Sequence, residues 1–284
     1  MKKIITLLLA VLVVLSLAGC SSGGGNSEQP AAEAEDKKIT VGVNPVPHAE
    51  ILENAVKAVL AEAGWELEVV VYEDYVLPNE NLVAGELDAN YFQTLGYMNN
   101  QNDTHGWKLT AVKGVHIEPM GLYSDKYTAI ADIPDGATIS VPNDEDNRTR
   151  AIEFLITNGF LNAIEGELSA ATINGNADAN PKGYEIVELE AAQLPLALAD
   201  VDASVINGNY ALGAGLPSTH PALLVESFDA ETSIRRTNFI VVNEGNENSE
   251  KINALIEAIT SDAVAKYIED TYKGAVITSF VDPQ

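Results

Sequence analysis

Three stretches of this chain hold side chains whose types and spacing could do chemistry. In the first, a strand ending at Pro142-Asn143 gives way to a helix that opens Asp144-Glu145-Asp146-Asn147 and carries Arg148 and Arg150. A helix start leaves backbone N–H groups without partners, and such groups attract anions. An arginine in that turn can hold a carboxylate through two parallel hydrogen bonds, each contributing about 1.5 to 3 kcal/mol. Ion pairing with neighbouring acids accounts for Arg148 and Arg150 equally well, so on these residues alone both readings stand. The acids Asp144-Glu145-Asp146 read as first-turn residues favoured by the helix dipole, because the alternating ligands and glycine of a calcium loop are missing.

The second stretch is aromatic and comprises Tyr72, Tyr75, Tyr91, Phe92 and Tyr97. Strand alternation sends Tyr91 and Phe92 to opposite faces, so one is core while the other faces a cleft. The third is Asn207-Gly208-Asn209-Tyr210, directly after the apolar run Val205-Ile206. Asn-Gly is a turn signal. Asparagine at the carboxyl end of a strand is also placed to meet a ligand's amine or carboxylate, since open α/β sheets bind ligands beyond that edge.

Elements that could position these residues follow from periodicity. The β-branched run Ile39-Thr40-Val41-Gly42-Val43 is broken by Asn44-Pro45-Val46-Pro47, and Ile51, Leu52, Ala55, Val56, Val59 and Leu60 then recur as one helix face. Leu67, Val69 and Val71 alternate as a second strand, which makes a parallel βαβ opening, and Leu87 to Phe92 form a third. The same grammar restarts at Thr138-Ile139-Ser140-Val141. Residues 196–204 match residues 82–90 in type at most positions, and both lead into strands. Two α/β lobes of similar topology are the simplest explanation. Met120 to Tyr123 and Phe239 to Val242 read as strands flanking the middle block, and amphipathic helices carrying Ile252, Leu255, Ile259 and then Val264, Ile268 close the chain. The expected division is 37–130 with 236–284 as the first lobe and 131–235 as the second, joined by two hinge crossings.

Other chemistry is hard to build. His48, His105, His116 and His220 are scattered, neither HExxH nor GxSxG occurs, and Gly23-Gly24-Gly25 lacks the lysine of a phosphate loop. We therefore expect no enzyme, no cofactor and no metal site, the wide spacing of the histidines weakening a metal-binding role. A formal charge of −26 argues against nucleic acid as a partner, because a phosphate backbone is bound by neutralising it with Lys and Arg. The single cysteine excludes a disulfide framework.

That cysteine has a different place. Lys2 and Lys3, an apolar run from Ile4 to Leu15, and Leu17-Ala18-Gly19-Cys20 read as an export signal over residues 1–19. Leu-Ala-Gly-Cys resembles a bacterial lipobox, which makes Cys20 the lipidated first residue of the mature chain. Residues 20–36 contain no large apolar side chain and read as a flexible tether.

Several blocks together resemble the methionine-binding lipoprotein family (MetQ/NlpA-like): Pro47-His48-Ala49-Glu50, residues 74–80 from Asp74 to Glu80, Asp88-Ala89-Asn90-Tyr91-Phe92-Gln93, residues 118–124 from Glu118 to Ser124, Val141-Pro142-Asn143-Asp144 with Asn147 and Arg150, Glu190 to Pro195, and Val205 to Tyr210. The resemblance implies a two-lobed, type II periplasmic-binding-protein-like fold on an extracytoplasmic, lipid-anchored protein. It further implies a free amino acid as ligand, methionine first, delivered to an ABC permease and its ATPase by hinge closure without chemistry. By position, it places Arg150 and Asn147, beside Asn143, at the ligand's α-carboxylate and Asn207 at its polar end. Tyr75, Phe92 and Tyr97 would enclose the side chain. Of the two arginines, Arg150 matches the family's Asn-x-x-Arg spacing.

One departure matters. Where the family usually has Phe-Gln-His, this chain reads Phe92-Gln93-Thr94. Thr94 is smaller and less polarisable, which opens the site to other small apolar amino acids; losing one aromatic-type contact is worth about 0.3 to 1.5 kcal/mol. A surface lipoprotein of the same fold with an adhesion or interaction role is the alternative function.

Overall fold

The structure is a computed structural model that describes residues 37–283. The expected export signal, Cys20 and tether lie outside the described residues. Among the described residues no helix is long and apolar enough to cross a membrane.

Among the described residues eleven strands form two sheets, and each sheet builds a lobe. The chain opens with β1 (Lys38–Val43), β2 (Glu66–Val71), β3 (Ala89–Thr94) and β4 (Leu109–Ile117). It continues with β5 (Gly121–Tyr123), β6 (Thr138–Pro142), β7 (Glu185–Leu189), β8 (Ala203–Ile206) and β9 (Leu224–Val225), and ends with β10 (Thr237–Asn243) and β11 (Ile277–Thr278). The first sheet has the order β11-β4-β10-β3-β1-β2 and the second β7-β6-β8-β5-β9. β1 pairs in parallel with β2 and β3, while β10 runs antiparallel to β3 and β4. In the second sheet β6 pairs in parallel with β7 and β8, and β5 runs antiparallel to β8. Each lobe is thus three parallel strands joined edge-on by an antiparallel strand. The two matching segments seen in the sequence lead into β3 and β8, which hold corresponding places.

The apolar faces that drive this are separate. Ile39, Val41, Tyr91, Leu255 and Ile268 pack on one face of the first sheet, and Leu82, Met98, Phe239 and Val241 on the other. The second lobe has its own core around Ile139, Ile152, Leu155 and Val205. Alternation resolves the aromatic pair: Tyr91 is fully buried in the first core, and Phe92 turns the other way, toward the cleft.

One expected boundary is corrected. The chain leaves the first sheet at Ile117 and joins the second at Gly121, not near residue 130, because Gly121 and Leu122 pair with Ile206 and Val205 of β8 and with Val225 and Leu224 of β9. It returns between Val225 and Thr237. The two passages are stitched together: Glu226 N donates to Met120 O at 2.9 Å, and Met120 N to the Glu226 carboxylate at 3.0 Å.

Candidate functional site

Between the lobes lies a small, partly open cavity. Tyr75, Phe92, Thr94 and Tyr97 line it from the first lobe, Asn147, Arg150 and Asn207 from the second. These are seven of the eight ligand residues expected from the sequence. Asn143 is the exception. It is exposed and lines a neighbouring depression with Asp74, Glu190 and Tyr210. The reason is helix phase: Asp144 is the N-cap of the helix Glu145–Thr157, so Asn147 and Arg150 share a face three residues apart, whereas Asn143 precedes the cap.

The anion-attracting end of that helix is occupied by the chain itself. Asp144 Oδ1 accepts from Asn147 N at 3.0 Å and from Asn147 Nδ2 at 2.9 Å. Burial pushes the Asp144 carboxyl up to about 6. Asn147 Oδ1 in turn accepts from Asn207 Nδ2 at 2.8 Å.

The two arginines part company. Arg148 bonds Leu168 O and Glu167 on the outside of the second lobe. Arg150 is buried, and its Nε and Nη2 bond the carboxylate of Glu226, with a further Nη2 bond to Glu118 O at 3.0 Å. Arg150 therefore pairs with an acid, and it also lines the cavity. Burial works against its charge, and Glu226 outweighs that, holding the guanidinium above its ordinary value. Nη1 makes no hydrogen bond among the described residues.

The aromatic wall is a triangle of rings. Centroids lie 5.9 Å apart for Tyr75 and Phe92, 5.7 Å for Tyr75 and Tyr97, and 5.9 Å for Phe92 and Tyr97. The Tyr97 hydroxyl donates to Tyr75 O at 3.0 Å, which fixes the edge of the wall. Thr94 caps the helix Leu95–His105 by accepting from Tyr97 N. Burial raises the phenols of Tyr75 and Tyr97 far above their ordinary value, so both stay neutral donors.

Asn207 follows β8 and stands at the N-cap position of the helix Gly208–Gly213, with no capping bond from its side chain, so Asn-Gly here opens a helix and is not a hairpin turn. Glycine is needed for closeness: a Cβ on Gly208 would lie 2.7 Å from Glu118 Cβ and 2.9 Å from Pro119 O.

Gly208 and Asn209, from the third stretch named in the sequence, complete the lining together with Gln93, Glu118 and Asn238, which sequence reasoning did not single out as site residues. The signal lay in position, since Glu118 stands at the outgoing passage between sheets and Asn238 at the return. Glu118 is buried beside two histidines. Its Oε1 lies 2.6 Å from His116 Nε2 and 3.2 Å from His48 Nε2. The donor atoms of His48, His116 and Glu118 all fall within 4.8 Å of one another. Two of the four histidines therefore do converge, which corrects the expectation from their spacing. Hydrogen bonding accounts for the cluster, because His116 Nδ1 bonds Tyr91 Oη while its Nε2 is spent on Glu118. Burial lowers His48 to about 4 and His116 to about 3, so both rings are neutral near pH 7, and burial raises Glu118.

Comparison with known proteins gives a consistent picture. A family model described as NlpA lipoprotein matches residues 39–280. A D-methionine-binding lipoprotein MetQ from Salmonella typhi is 33% identical over 270 residues, covering 94% of each chain. A solved nutrient binding protein from Burkholderia cenocepacia bound to methionine is 34% identical with a TM-score of 0.75, over 85% of this chain and 100% of that one. An ABC transporter periplasmic substrate-binding protein from Coxiella burnetii is 33% identical, also with a TM-score of 0.75, over 85% of this chain and 100% of its own.

Proposed function

The chain belongs to the NlpA lipoprotein family, and from that premise we propose that it is an extracytoplasmic, lipid-anchored binding protein that captures methionine and hands it to an ABC importer. The observation that carries this reading is the interlobe cavity, where a buried guanidinium faces a wall of three rings. Such a site suits an amino acid with an apolar side chain. The methionine bound to the Burkholderia relative and the name of the Salmonella one support the choice of ligand.

In this reading Arg150 Nη1 and Asn147 take the α-carboxylate, and Tyr75, Phe92 and Tyr97 hold the thioether chain. Burying a side chain of that size contributes about 1.5 to 3 kcal/mol, and the charged ends add several more. After ordering costs, micromolar affinity, near −8 kcal/mol, is reasonable. Thr94 at the wall leaves room for other small apolar amino acids beside methionine. Ligand transfer follows from hinge opening at the two passages between the sheets, and Cys20 is the anchor. No covalent step is needed.

The test is calorimetry of refolded, ligand-stripped protein against the twenty amino acids. Methionine should give the strongest signal, and silence across the whole set would end the proposal. The mass of the mature N-terminal peptide checks the anchor.

A further inference from the structure

A two-lobed binding protein holds its ligand only as well as its lobes hold each other. The first turn of the helix Glu145–Thr157, which carries Arg150, comes against the first turn of the helix Leu95–His105, which carries Tyr97. Asp146 is where they meet. Its carboxylate accepts from Thr94 Oγ1 at 3.4 Å, and a Cβ on Gly96 would lie 2.2 Å from its Oδ1 and 2.8 Å from its Cγ. We propose that Asp146, seated on Gly96, sets how far the lobes close, so that this pair governs the lifetime of bound methionine without touching it. Neither residue is among those that line the cavity. The proposal rests on the amino-acid reading of the cavity given above.

The chemistry of the seat is specific. Thr94 Oγ1 accepts from Tyr97 N at 3.3 Å as the cap of its helix, which leaves its one hydrogen for Asp146. The carboxylate therefore stands at the positive end of an 11-residue helix, where an anion is favoured. Gly96 lies outside the left-handed backbone region, so close approach, not conformation, is what calls for glycine here. Any side chain at position 96 would take the space of the carboxylate. One turn further along the same helix face, Asn100 Nδ2 donates to Glu145 at 3.0 Å, which extends the contact into a strip.

Asp146 is tied to the ligand site through its own helix. Arg150 follows it by four residues, on the same face. Burial disfavours the charge on Arg150, and Glu226 and then Asp146 offset that. Where the Asp146 carboxylate comes to rest thus fixes how deeply the Arg150 turn is set against the aromatic wall of the other lobe. Asp146 and Gly96 are positioning residues for capture.

The experiment is a cycle of four proteins, wild type, Asp146→Ala, Gly96→Ala and the double variant, read by calorimetry and stopped-flow release of methionine. Each single change should weaken binding about fivefold, through faster release, because one removes the carboxylate and the other its resting place. The double variant should be no weaker than either single one, since the same contact can be lost only once. Ligand-free Gly96→Ala should unfold in urea at the wild-type midpoint or above it, because alanine suits a helix better than glycine. A lowered midpoint would mark the change as damage to the fold and overturn the proposal. So would single variants that match wild type, or losses that multiply to about 25-fold in the double variant, and either result leaves methionine binding itself standing. A wild type silent toward every amino acid strikes the proposed function, and this inference with it.

Discussion

Tyr75 of the first lobe donates its phenolic hydrogen to Asn209 Oδ1 of the second at 2.6 Å. Tyr210 of the second lobe returns the contact, donating to Glu73 O at 3.0 Å, and Asn100 reaches Glu145 at 3.0 Å. These bonds span the cleft, so the structure is a closed form. Tyr75→Phe keeps the ring and removes the latch. Ligand affinity should fall about fivefold, near 1 kcal/mol, with the change in the dissociation rate. Stopped-flow release of methionine measures this, and an unchanged rate would show the latch to be idle.

The two arginines differ in where they point, so their removal should differ too. Arg150→Ala is expected to abolish methionine binding at millimolar ligand, while Arg148→Ala, which loses contacts to Leu168, Glu167 and Glu188 outside the cavity, should stay within about threefold of wild type. Equal losses in calorimetry would overturn the assignment of the carboxylate partner.

Glu226 neutralises a buried guanidinium and ties the two passages between lobes. Removing one member of a buried pair leaves the other charge uncompensated. Glu226→Gln should therefore lower the unfolding free energy by about 2 to 3 kcal/mol in urea titration, whereas Glu226→Gln combined with Arg150→Met should recover part of that loss. A double variant no more stable than the single one would count against the pairing.

Gly208 has no room for a side chain, and the atoms in the way include the backbone of Pro119. Gly208→Ala should destabilise the protein by about 1 to 3 kcal/mol and weaken methionine binding, because Asn207 and Glu118 are pushed apart. Thermal melting with and without ligand reports both effects, and a variant matching wild type in both would refute the close contact.

The histidines give a pH dependence with a definite sign. His48 is lowered by burial to about 4 from an ordinary value near 6.5. A group held below its unfolded value binds its proton first in the unfolded chain, so its contribution to stability is fully present above about pH 6.5 and is lost as pH falls toward 4. The stability gap between wild type and His48→Gln should narrow by about 2 kcal/mol between pH 7 and pH 5. Asp144, pushed up to about 6, acts in the opposite sense but is common to both proteins. Urea titrations at the two pH values decide it, and a constant gap would refute the buried neutral ring.

Much of this arrangement was legible in the chain. β-branched runs marked β1 and β10, and the matching segments at 82–90 and 196–204 foretold two sheets of one layout. Tyr91 and Phe92 parted as alternation requires. What stayed hidden depends on partners far away in sequence. Gly121-Leu122-Tyr123 reads as a strand in either lobe, and only pairing with Ile206 and Val225 assigns it to the second. Glu118 gained meaning from His48, and Arg150 from Glu226, contacts that no local pattern displays. Asn143 is a different case, since its place before the cap sets it apart from the face that Asn147 and Arg150 share.

Because the outgoing and returning passages are laced together at Met120 and Glu226, and Glu226 also holds Arg150, an axis on which the halves could swing runs beside the cavity. Points near a fulcrum travel little and points far from it travel much. Opening would sweep the Tyr75 and Asn209 rim apart while the floor around Glu118 and Arg150 stayed nearly still, so the floor can be assembled before any visitor arrives.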